Sequence, residues 1–234
     1  MLPKISVVII TKNEEKFIAD AIKSSKFADE IIVLDSGSTD KTCKISKSLG
    51  AKVFFHKWLG FGEQKNKAVS LASNDWVFVL DADERITKDL LLELDKVFCG
   101  NKINAYAIPR LNYFFNKPVR WGGLFPDYSI RFFNRNFGSF NKVEVHESVE
   151  VVGEIKKIKT HMIHLAYSSV DEFLLKQKKY SQLSIKRKSY IRMIVSPVWT
   201  FLKILVLRLG FLDGWRGFVI AYVYAKYSYW KYKP

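Results

Sequence analysis

The sequence lacks several features that would assign it to a class at once. Its two cysteines, Cys43 and Cys99, are too few for a disulfide framework and have no metal-ligand spacing, so we expect free thiols in a reducing compartment. The N-terminus has no basic region, long apolar run and cleavage site of the kind that make a signal peptide, and its apolar residues predict a first strand. No C-terminal apolar run is expected to reach the roughly 20 residues that span a bilayer unbroken. These absences predict a cytoplasmic protein.

Acidic residues are scarce in the last third of the chain. The formal net charge is +15, but residues 1–100 carry 15 basic and 15 acidic side chains, residues 101–167 carry 10 and 5, and residues 168–234 carry 13 and 3. The basic residues at the C-terminus are interspersed with Trp, Tyr and Phe, which is typical of amphipathic helices in a membrane interface. The alternatives are a helical cap with solvated charges and a nucleic-acid footprint. Because no nucleic-acid motif is present, we expect a membrane surface as partner and no nucleic acid.

The first hundred residues alternate between apolar strands and amphipathic helices. Four strand–helix repeats with short connections predict βαβ units and a parallel sheet. Right-handed crossovers would bring the carboxyl ends of all the strands to one edge. We therefore expect Thr11, Asp35, Asp81 and Asp83 to meet there. The predicted strands cover residues 5–10, 30–34, 51–55 and 76–80, and the predicted helices cover residues 13–25, 40–50, 63–72 and 86–100.

Residues 76–85, WVFVLDADER, run from a buried strand directly into two carboxylates. If the chain stays extended, Asp81 and Asp83 point to the same side and repel each other unless a cation lies beside them. Mg²⁺ or Mn²⁺ carrying a diphosphate suits such oxygen ligands. The alternative is one Asp that caps a helix and one that is solvated.

The pattern changes after residue 100, and the sequence predicts an organisation in two parts. Residues 1–167 form the first part, which divides at residue 100 into an alternating half and a second half with a different pattern. Residues 168–234 form a basic, aromatic helical region, opened by a capping box at Ser169. The predicted strands of the second half cover residues 106–109, 128–133, 143–152 and 155–165, and the apolar C-terminal runs cover residues 197–209 and 218–230.

Three segments resemble the signatures of family 2 glycosyltransferases with the GT-A fold: VVIITKNEE (7–15), IVLDSGSTD (32–40) and LDADER (80–85). Four more resemble the branch that contains bacterial lipopolysaccharide inner-core β-1,4-glucosyltransferases: FGEQKN (61–66), DYSIRFF (127–133), VHE (145–147) and GFLDG (210–214). The resemblance implies an α/β fold with a Rossmann-like nucleotide-binding sheet, a mixed sheet in the second half and C-terminal amphipathic helices. It also implies that residues 1–167 are a catalytic domain, in which residues 1–100 bind a nucleotide sugar and residues 101–167 bind an acceptor.

The resemblance also implies roles for individual residues of the donor site. Asp35 would accept from the uracil or ribose, Asp81 would face the ribose and donor sugar, and Asp83 would ligate Mg²⁺ or Mn²⁺. For each residue the alternative is a cap or a turn. The remaining donor-binding residues implied are Thr11, Asn13, Glu14, Ser36, Gly37, Gln64 and Lys65.

The reaction implied is the inverting transfer of glucose from UDP-glucose to a heptose of a lipopolysaccharide or lipooligosaccharide inner core. Glu147 is the first candidate for the base and Asp127 the second, with His146 as a neighbour. The acceptor would be a lipid-linked oligosaccharide at the cytoplasmic face of the inner membrane. The residues suited to bind it are Arg110, Tyr113, Trp121 and Arg131.

Three other interpretations remain open from the sequence. A family 2 transferase could use a different nucleotide sugar or glycan. An apolar strand followed by Asp-x-Asp also resembles a haloacid-dehalogenase-type phosphatase, although Arg85 stands where those enzymes have Thr or Val. A non-catalytic membrane-surface module could retain the fold.

Overall fold

The structure is a computed structural model that describes residues 1–99, 102–141, 147–183 and 189–233. It divides into two compact units. The first comprises Met1–Arg110 and Tyr128–His164, and the second comprises Leu111–Asp127 and Leu165–Pro234. The predicted domain boundary at residue 167 stays a prediction; the compact units assign residues 111–127 to the C-terminal group.

The first unit begins with alternating strands and helices, as predicted. Strand β1 is central and pairs in parallel with β2 and β4, and β2 pairs in parallel with β3. The elements are β1 (Ile5–Thr11), α1 (Ile18–Ser24), β2 (Glu30–Asp35), α2 (Thr42–Ser48), β3 (Lys52–Phe55), α3 (Phe61–Ser70), β4 (Trp76–Asp81), β5 (Glu84–Arg85) and α4 (Lys88–Val97).

Strands β1, β2 and β4 are buried because both faces of the sheet are covered there, whereas β3 at the edge is largely exposed. Successive side chains of a strand point to opposite faces, and β1 divides accordingly. Val7 and Ile9 belong to one hydrophobic cluster, whereas Val8 and Ile10 belong to another. A parallel sheet covered on both faces needs continuous apolar strands, which is the pattern that the sequence shows.

The strand register confirms that the carboxyl ends share one edge of the sheet. Thr11 is paired with Asp35, and Ile10 is paired with Asp81. Polar side chains at the ends of β1, β2 and β4 are therefore neighbours in space.

The second half of the sheet is mixed, as expected. Strand β4 pairs antiparallel with β8, and the order continues through β6 and β12 to β5. The strands are β6 (Ala105–Phe114), β7 (Lys117–Pro118), β8 (Asp127–Asn134), β9 (Gly138–Phe140), β10 (Val149–Val151), β11 (Ile155–Lys157) and β12 (Met162–Tyr167).

Two details of this half differ from the prediction. The strand expected to end at Pro109 continues to Phe114, because proline lacks an N–H donor but keeps its carbonyl acceptor. The single strand expected over residues 155–165 is two strands, β11 and β12. The strand predicted over residues 143–152 is described only as β10, since residues 142–146 lie outside the described part of the chain.

The second unit contains the C-terminal helices. Helix α5 (Val170–Leu183) begins at the predicted cap, where Ser169 Oγ accepts a hydrogen bond of 3.1 Å from the backbone N–H of Glu172. The unit continues with α6 (Tyr190–Leu202), a π-helical segment (Lys203–Leu207), a 3₁₀ turn (Gly210–Asp213) and α7 (Trp215–Tyr232).

Helix α6 begins seven positions before the apolar run predicted from Pro197, which lies inside the helix. In the described part of the chain, the 18 residues Tyr190–Leu207 form one helical segment whose length and composition would allow it to cross a membrane. The segment is longer than the predicted run of residues 197–209 because Pro197 lies inside the helix, and its 18 residues stay below the roughly 20 of an unbroken span.

Candidate active site

Asp35, at the end of β2, organises the turn that follows it. Its Oδ2 accepts hydrogen bonds from the backbone N–H groups of Gly37 (2.9 Å) and Ser38 (2.8 Å), and its Oδ1 accepts one from Thr11 Oγ1 (3.1 Å). Burial would raise the pKa of Asp35, but these donors and the Ser38 hydroxyl lower it below its usual value. Asp35 is therefore an ionised group that shapes the turn of Ser36 and Gly37.

Asn13 and Glu14 connect the end of β1 to the same turn. Asn13 has a φ of 58° and its Oδ1 accepts a hydrogen bond of 2.8 Å from Thr39 N–H. The backbone N–H of Glu14 donates to Thr42 Oγ1 at 2.8 Å. Asn13 thus does not cap α1, which begins at Ile18. These contacts join the ends of β1 and β2 into one polar edge.

Gln64 and Lys65 of α3 add two more polar side chains next to this edge. The Gln64 side chain is fully buried, and its Nε2 donates to Ser36 Oγ at 2.9 Å. Among the described residues, Gln64 Oε1 and Arg131 Nε are buried side-chain atoms without a hydrogen-bond partner. Since buried polar groups are nearly always paired, both atoms mark places where a bound group or water would add a partner.

Lys65 joins the two carboxylates Asp81 and Glu147. Its ammonium group lies 3.0 Å from Asp81 Oδ1 and 2.9 Å from Glu147 Oε1, and the residue is only 2% exposed. Asn66, the next residue of α3, attaches β9 to the helix, because its side chain exchanges two hydrogen bonds of 2.8 Å with the backbone of Phe140. The base predicted from sequence is therefore fixed beside the end of β4.

Arg131, on β8, neutralises Asp81 from another side. Its Nη2 donates to Asp81 Oδ2 at 2.7 Å and to the fully buried Glu84 Oε1 at 2.5 Å. Burial alone would raise the pKa of Asp81, but the positive charges of Arg131 and Lys65 hold it well below its usual range. The cations expected beside Asp81 are thus two protein side chains. Arg131 is 3% exposed, and its assignment to the acceptor stays a prediction.

Asp83 points to a different partner. The chain turns after Asp81 instead of staying extended, and Asp83 Oδ2 lies 3.4 Å from His164 Nε2. Antiparallel pairing of β12 with β5 puts His164 opposite Glu84, next to Asp83. Neither His164 nor Glu84 was predicted as a site residue from the sequence. Glu84 could have been found, because its carboxylate directly follows the Asp-x-Asp motif, whereas no sequence signal points to His164.

Asp83 and His164 fit a divalent cation that is shared with a diphosphate. No group of three or more metal-ligating side chains occurs within the described ranges. Mg²⁺ in nucleotide sites, however, is commonly held by one or two carboxylates together with substrate phosphates. The carboxylate oxygen of Asp83 also suits Mn²⁺. The donor set therefore fits a metal bound together with its substrate.

The other predicted acceptor and base residues divide between the units. Arg110, in the first unit, lies 3.5 Å from Glu84 Oε1. Tyr113, Trp121 and Asp127 belong to the second unit, and burial together with the negative charge of Asp127 raises the pKa of Tyr224 to about 12. Their predicted roles stay predictions. His146 lies outside the described residues.

The polar edge lies within a segment that matches a known family. The family model described as glycosyl transferase family 2 matches residues 6–151, more than half of the chain. The chain belongs to glycosyl transferase family 2. The match includes Asp35, Asp81, Asp83 and Glu147, and the phosphatase interpretation is therefore wrong.

Two relatives of this family 2 glycosyltransferase cover nearly all of it. An uncharacterised glycosyltransferase of Rickettsia typhi is 34% identical over 96% of this chain and 84% of the relative. The lipopolysaccharide core biosynthesis glycosyltransferase LpsC of Rhizobium meliloti is 30% identical over 98% of this chain and 91% of its own length.

Similarity to a solved structure is more limited. Glucosyl-3-phosphoglycerate synthase from Mycobacterium tuberculosis, solved in complex with Mn²⁺, UDP and glucosyl-3-phosphoglycerate, is 30% identical with a TM-score of 0.40. The match covers 47% of this chain and 44% of that protein, less than half of either.

Proposed function

We propose that this family 2 glycosyltransferase moves a sugar from a UDP-sugar, with UDP-glucose as the first candidate, to a heptose of a lipopolysaccharide or lipooligosaccharide inner core. The observation that carries the proposal is that the Asp35 turn, Asp81 and Glu147 lie together at one edge of the sheet. The Lys65 ammonium group lies within 3.0 Å of the Asp81 and Glu147 carboxylates. Open α/β sheets bind their ligands outside the carboxyl ends of the strands.

The donor would occupy the edge between the turn of β2 and the end of β4. The turn residues Ser36 and Gly37 and the unpaired Oε1 of Gln64 lie where a base and ribose need polar partners. Asp83 and His164 would hold Mg²⁺ or Mn²⁺, and the cation would supply Lewis-acid stabilisation of the diphosphate. Asp81, fixed by Lys65 and Arg131, would present a rigid carboxylate to the ribose or donor sugar.

Glu147 would act as the base. As the acceptor hydroxyl attacks the anomeric carbon, its proton passes to the Glu147 carboxylate, a bond forms between that oxygen and the carbon, and the bond to the diphosphate oxygen breaks with its electron pair leaving on UDP. A single displacement inverts the anomeric configuration, so an α-linked donor gives a β-linked product. Lys65 orients Glu147 through Oε1.

The acceptor class rests on the similarity to LpsC, whose name specifies lipopolysaccharide core biosynthesis and which aligns with 98% of this chain. Charge supports an anionic, phosphate-bearing sugar acceptor, because Arg side chains recognise phosphate groups. Arg110, whose side chain is 25% exposed, is the first candidate for this contact.

The test is UDP release from UDP-glucose by the purified protein with Mn²⁺ or Mg²⁺, with and without a heptose-containing core oligosaccharide. We expect release that the acceptor stimulates and a chelator abolishes. Release with a different nucleotide sugar would change the donor and retain the reaction. Failure with all common nucleotide sugars, under conditions where the fold is intact, would contradict the proposal.

A further inference from the structure

The outward face of α6 is apolar, the reverse of what a helix on the surface of a soluble protein shows. Among the 18 residues of Tyr190–Leu207, only Ile204 is buried. The exposed residues recur every three to four positions, so they form one face. This face, called here the α6 face, consists of Ile191, Ile194, Val195, Val198, Trp199, Leu202 and Val206, with exposures from 46% to 76%.

The opposite side of this segment packs within the second unit, where Ile204, Phe201 and Leu205 belong to an apolar cluster and a serine pair joins the helices. Ser196 Oγ lies 2.7 Å from Ser228 Oγ of α7. Nearby, Gly217 approaches the backbone of Gly210 so closely that a Cβ there would overlap its carbonyl oxygen. Small and hydroxyl residues between helices, with apolar residues outside, are typical of helices whose solvent is lipid.

Further apolar side chains are exposed past the end of α6. Four side chains of the 3₁₀ turn and the start of α7 are each between 52% and 54% exposed. They are Phe211, Leu212, Trp215 and Phe218. An exposed apolar surface of this extent marks an interaction site.

We propose that the α6 face lies in the plane of an anionic lipid bilayer and attaches the enzyme to it. Charge selects this partner: residues 190–233 contain seven Lys or Arg and one Asp, and cations at the edge of an apolar helix face attract anionic headgroups. A second copy of the chain would bring the same cations against each other across a two-fold interface, which costs energy.

An orientation in the plane agrees better with this surface than a spanning one. An 18-residue helix is about 27 Å long, just short of the hydrocarbon thickness of about 30 Å. One side of α6 is occupied by α7, which carries Lys226 and Lys231, and Arg192 and Lys203 lie on α6 and directly after it. A spanning segment would bring these charges into hydrocarbon, whereas an interfacial one leaves them at the headgroups.

The experiment is flotation of the purified full-length protein with vesicles of phosphatidylethanolamine and phosphatidylglycerol, and with vesicles of phosphatidylcholine alone. We expect binding to the anionic vesicles that decreases with added salt. The double variant Ile194→Ser/Val198→Ser should bind at least tenfold more weakly, with an unchanged circular dichroism spectrum. The matched control is Leu92→Ser/Val152→Ser, which removes side chains of 60% and 78% exposure from the first unit and should bind as the wild type does.

Three results would overturn the proposal. One is equal binding by the two double variants. Another is a stable dimer without lipid that Ile194→Ser/Val198→Ser dissociates, because the α6 face would then be a protein interface. The third is retention in bacterial membranes after alkaline carbonate extraction, which would indicate a spanning helix. None of these measurements uses transferase activity. A failure of the membrane proposal can therefore be distinguished from a failure of the proposed reaction.

Discussion

Lys65 donates a hydrogen bond of 2.9 Å to Glu147 Oε1 across 82 positions of the sequence. The same ammonium group lies 3.0 Å from Asp81 Oδ1. One buried cation therefore separates two carboxylates that would otherwise repel each other, and it links α3 and the end of β4 to the segment that carries the candidate base.

Replacing Lys65 with Met should destabilise the protein. Met fills a similar volume but leaves Asp81 and Glu147 without their shared cation, and removing one member of a buried ion pair costs about 3 kcal/mol. Urea unfolding of Lys65→Met should show this loss. The control Lys67→Met removes an exposed cation from the same helix and should have little effect. Equal stability of the two variants would contradict the role of Lys65.

Replacing Glu147 with Gln tests the base. Gln keeps the shape and an oxygen acceptor for Lys65 but cannot take a proton, so turnover should fall about 10²- to 10⁴-fold, while UDP binding measured by calorimetry should change little. The matched control is Glu150→Gln, an exposed carboxylate on β10, which should retain activity. If both variants turn over at the same rate, another group is the base, and Asp127 is the next to test.

The parallel half of the sheet could be predicted because the sequence pattern that forms it lies within each strand and the residues directly after it. Strands buried on both faces need continuous apolar runs, and polar residues must follow where each strand ends; Asp35 and Asp81 were located by that rule. The contacts of the site could not be predicted in the same way. Lys65 meets Glu147, and Asp83 meets His164, only after distant strands pair, and no periodicity encodes such pairing.

Helix α6 shows a second limit of sequence reasoning. The sequence predicts an apolar run that begins at Pro197, whereas Pro197 is the eighth residue of the helix. A proline inside a helix normally costs about 3 kcal/mol, so local propensity favours a boundary there. The contacts of α6 with α7, including the pair Ser196 and Ser228, outweigh that preference.

Asp83 and His164 are expected to support turnover through a divalent cation. Asp83→Ala and His164→Ala should each lower activity at least about tenfold and raise the Mn²⁺ concentration needed for half-maximal rate. Both side chains are partly exposed, so thermal unfolding should change little. EDTA should abolish wild-type turnover and added Mn²⁺ should restore it. A wild-type rate that is insensitive to EDTA would exclude the metal role.

Glu30 should make stability depend on pH. Burial opposes ionisation of Glu30, but hydrogen bonds from Lys52, Ser73 and Ser6 outweigh it and lower its pKa from 4.5 to about 2. A lowered folded-state pKa stabilises the protein above the unfolded value, and this contribution is lost as the pH falls from about 4.5 to about 2.

The corresponding measurement is urea unfolding of the wild type and Glu30→Gln at several pH values from 7 to 2.5. The wild type should lose up to about 3 kcal/mol more than the variant over the acidic part of this range. Parallel pH profiles of the two proteins would show that Glu30 does not titrate as its contacts indicate. Lys52→Met should reduce the effect, because Lys52 lies 2.6 Å from Glu30 Oε1.

Gly62 provides a test of how closely α3 must approach the segment that carries Glu147. In an unconstrained helix, Gly→Ala stabilises by roughly 0.5–1 kcal/mol. A Cβ at Gly62, however, would overlap the backbone carbonyl oxygen of Asn141 and lie 3.7 Å from Glu147 Cβ. Because a backbone carbonyl cannot rotate away, Gly62→Ala should instead destabilise the protein by about 1–3 kcal/mol and reduce turnover by displacing Glu147.

The control Ser70→Ala, at an exposed position of the same helix, should be neutral or stabilising. A stabilised and fully active Gly62→Ala variant would mean that α3 and the Glu147 segment are not packed as closely as this arrangement requires.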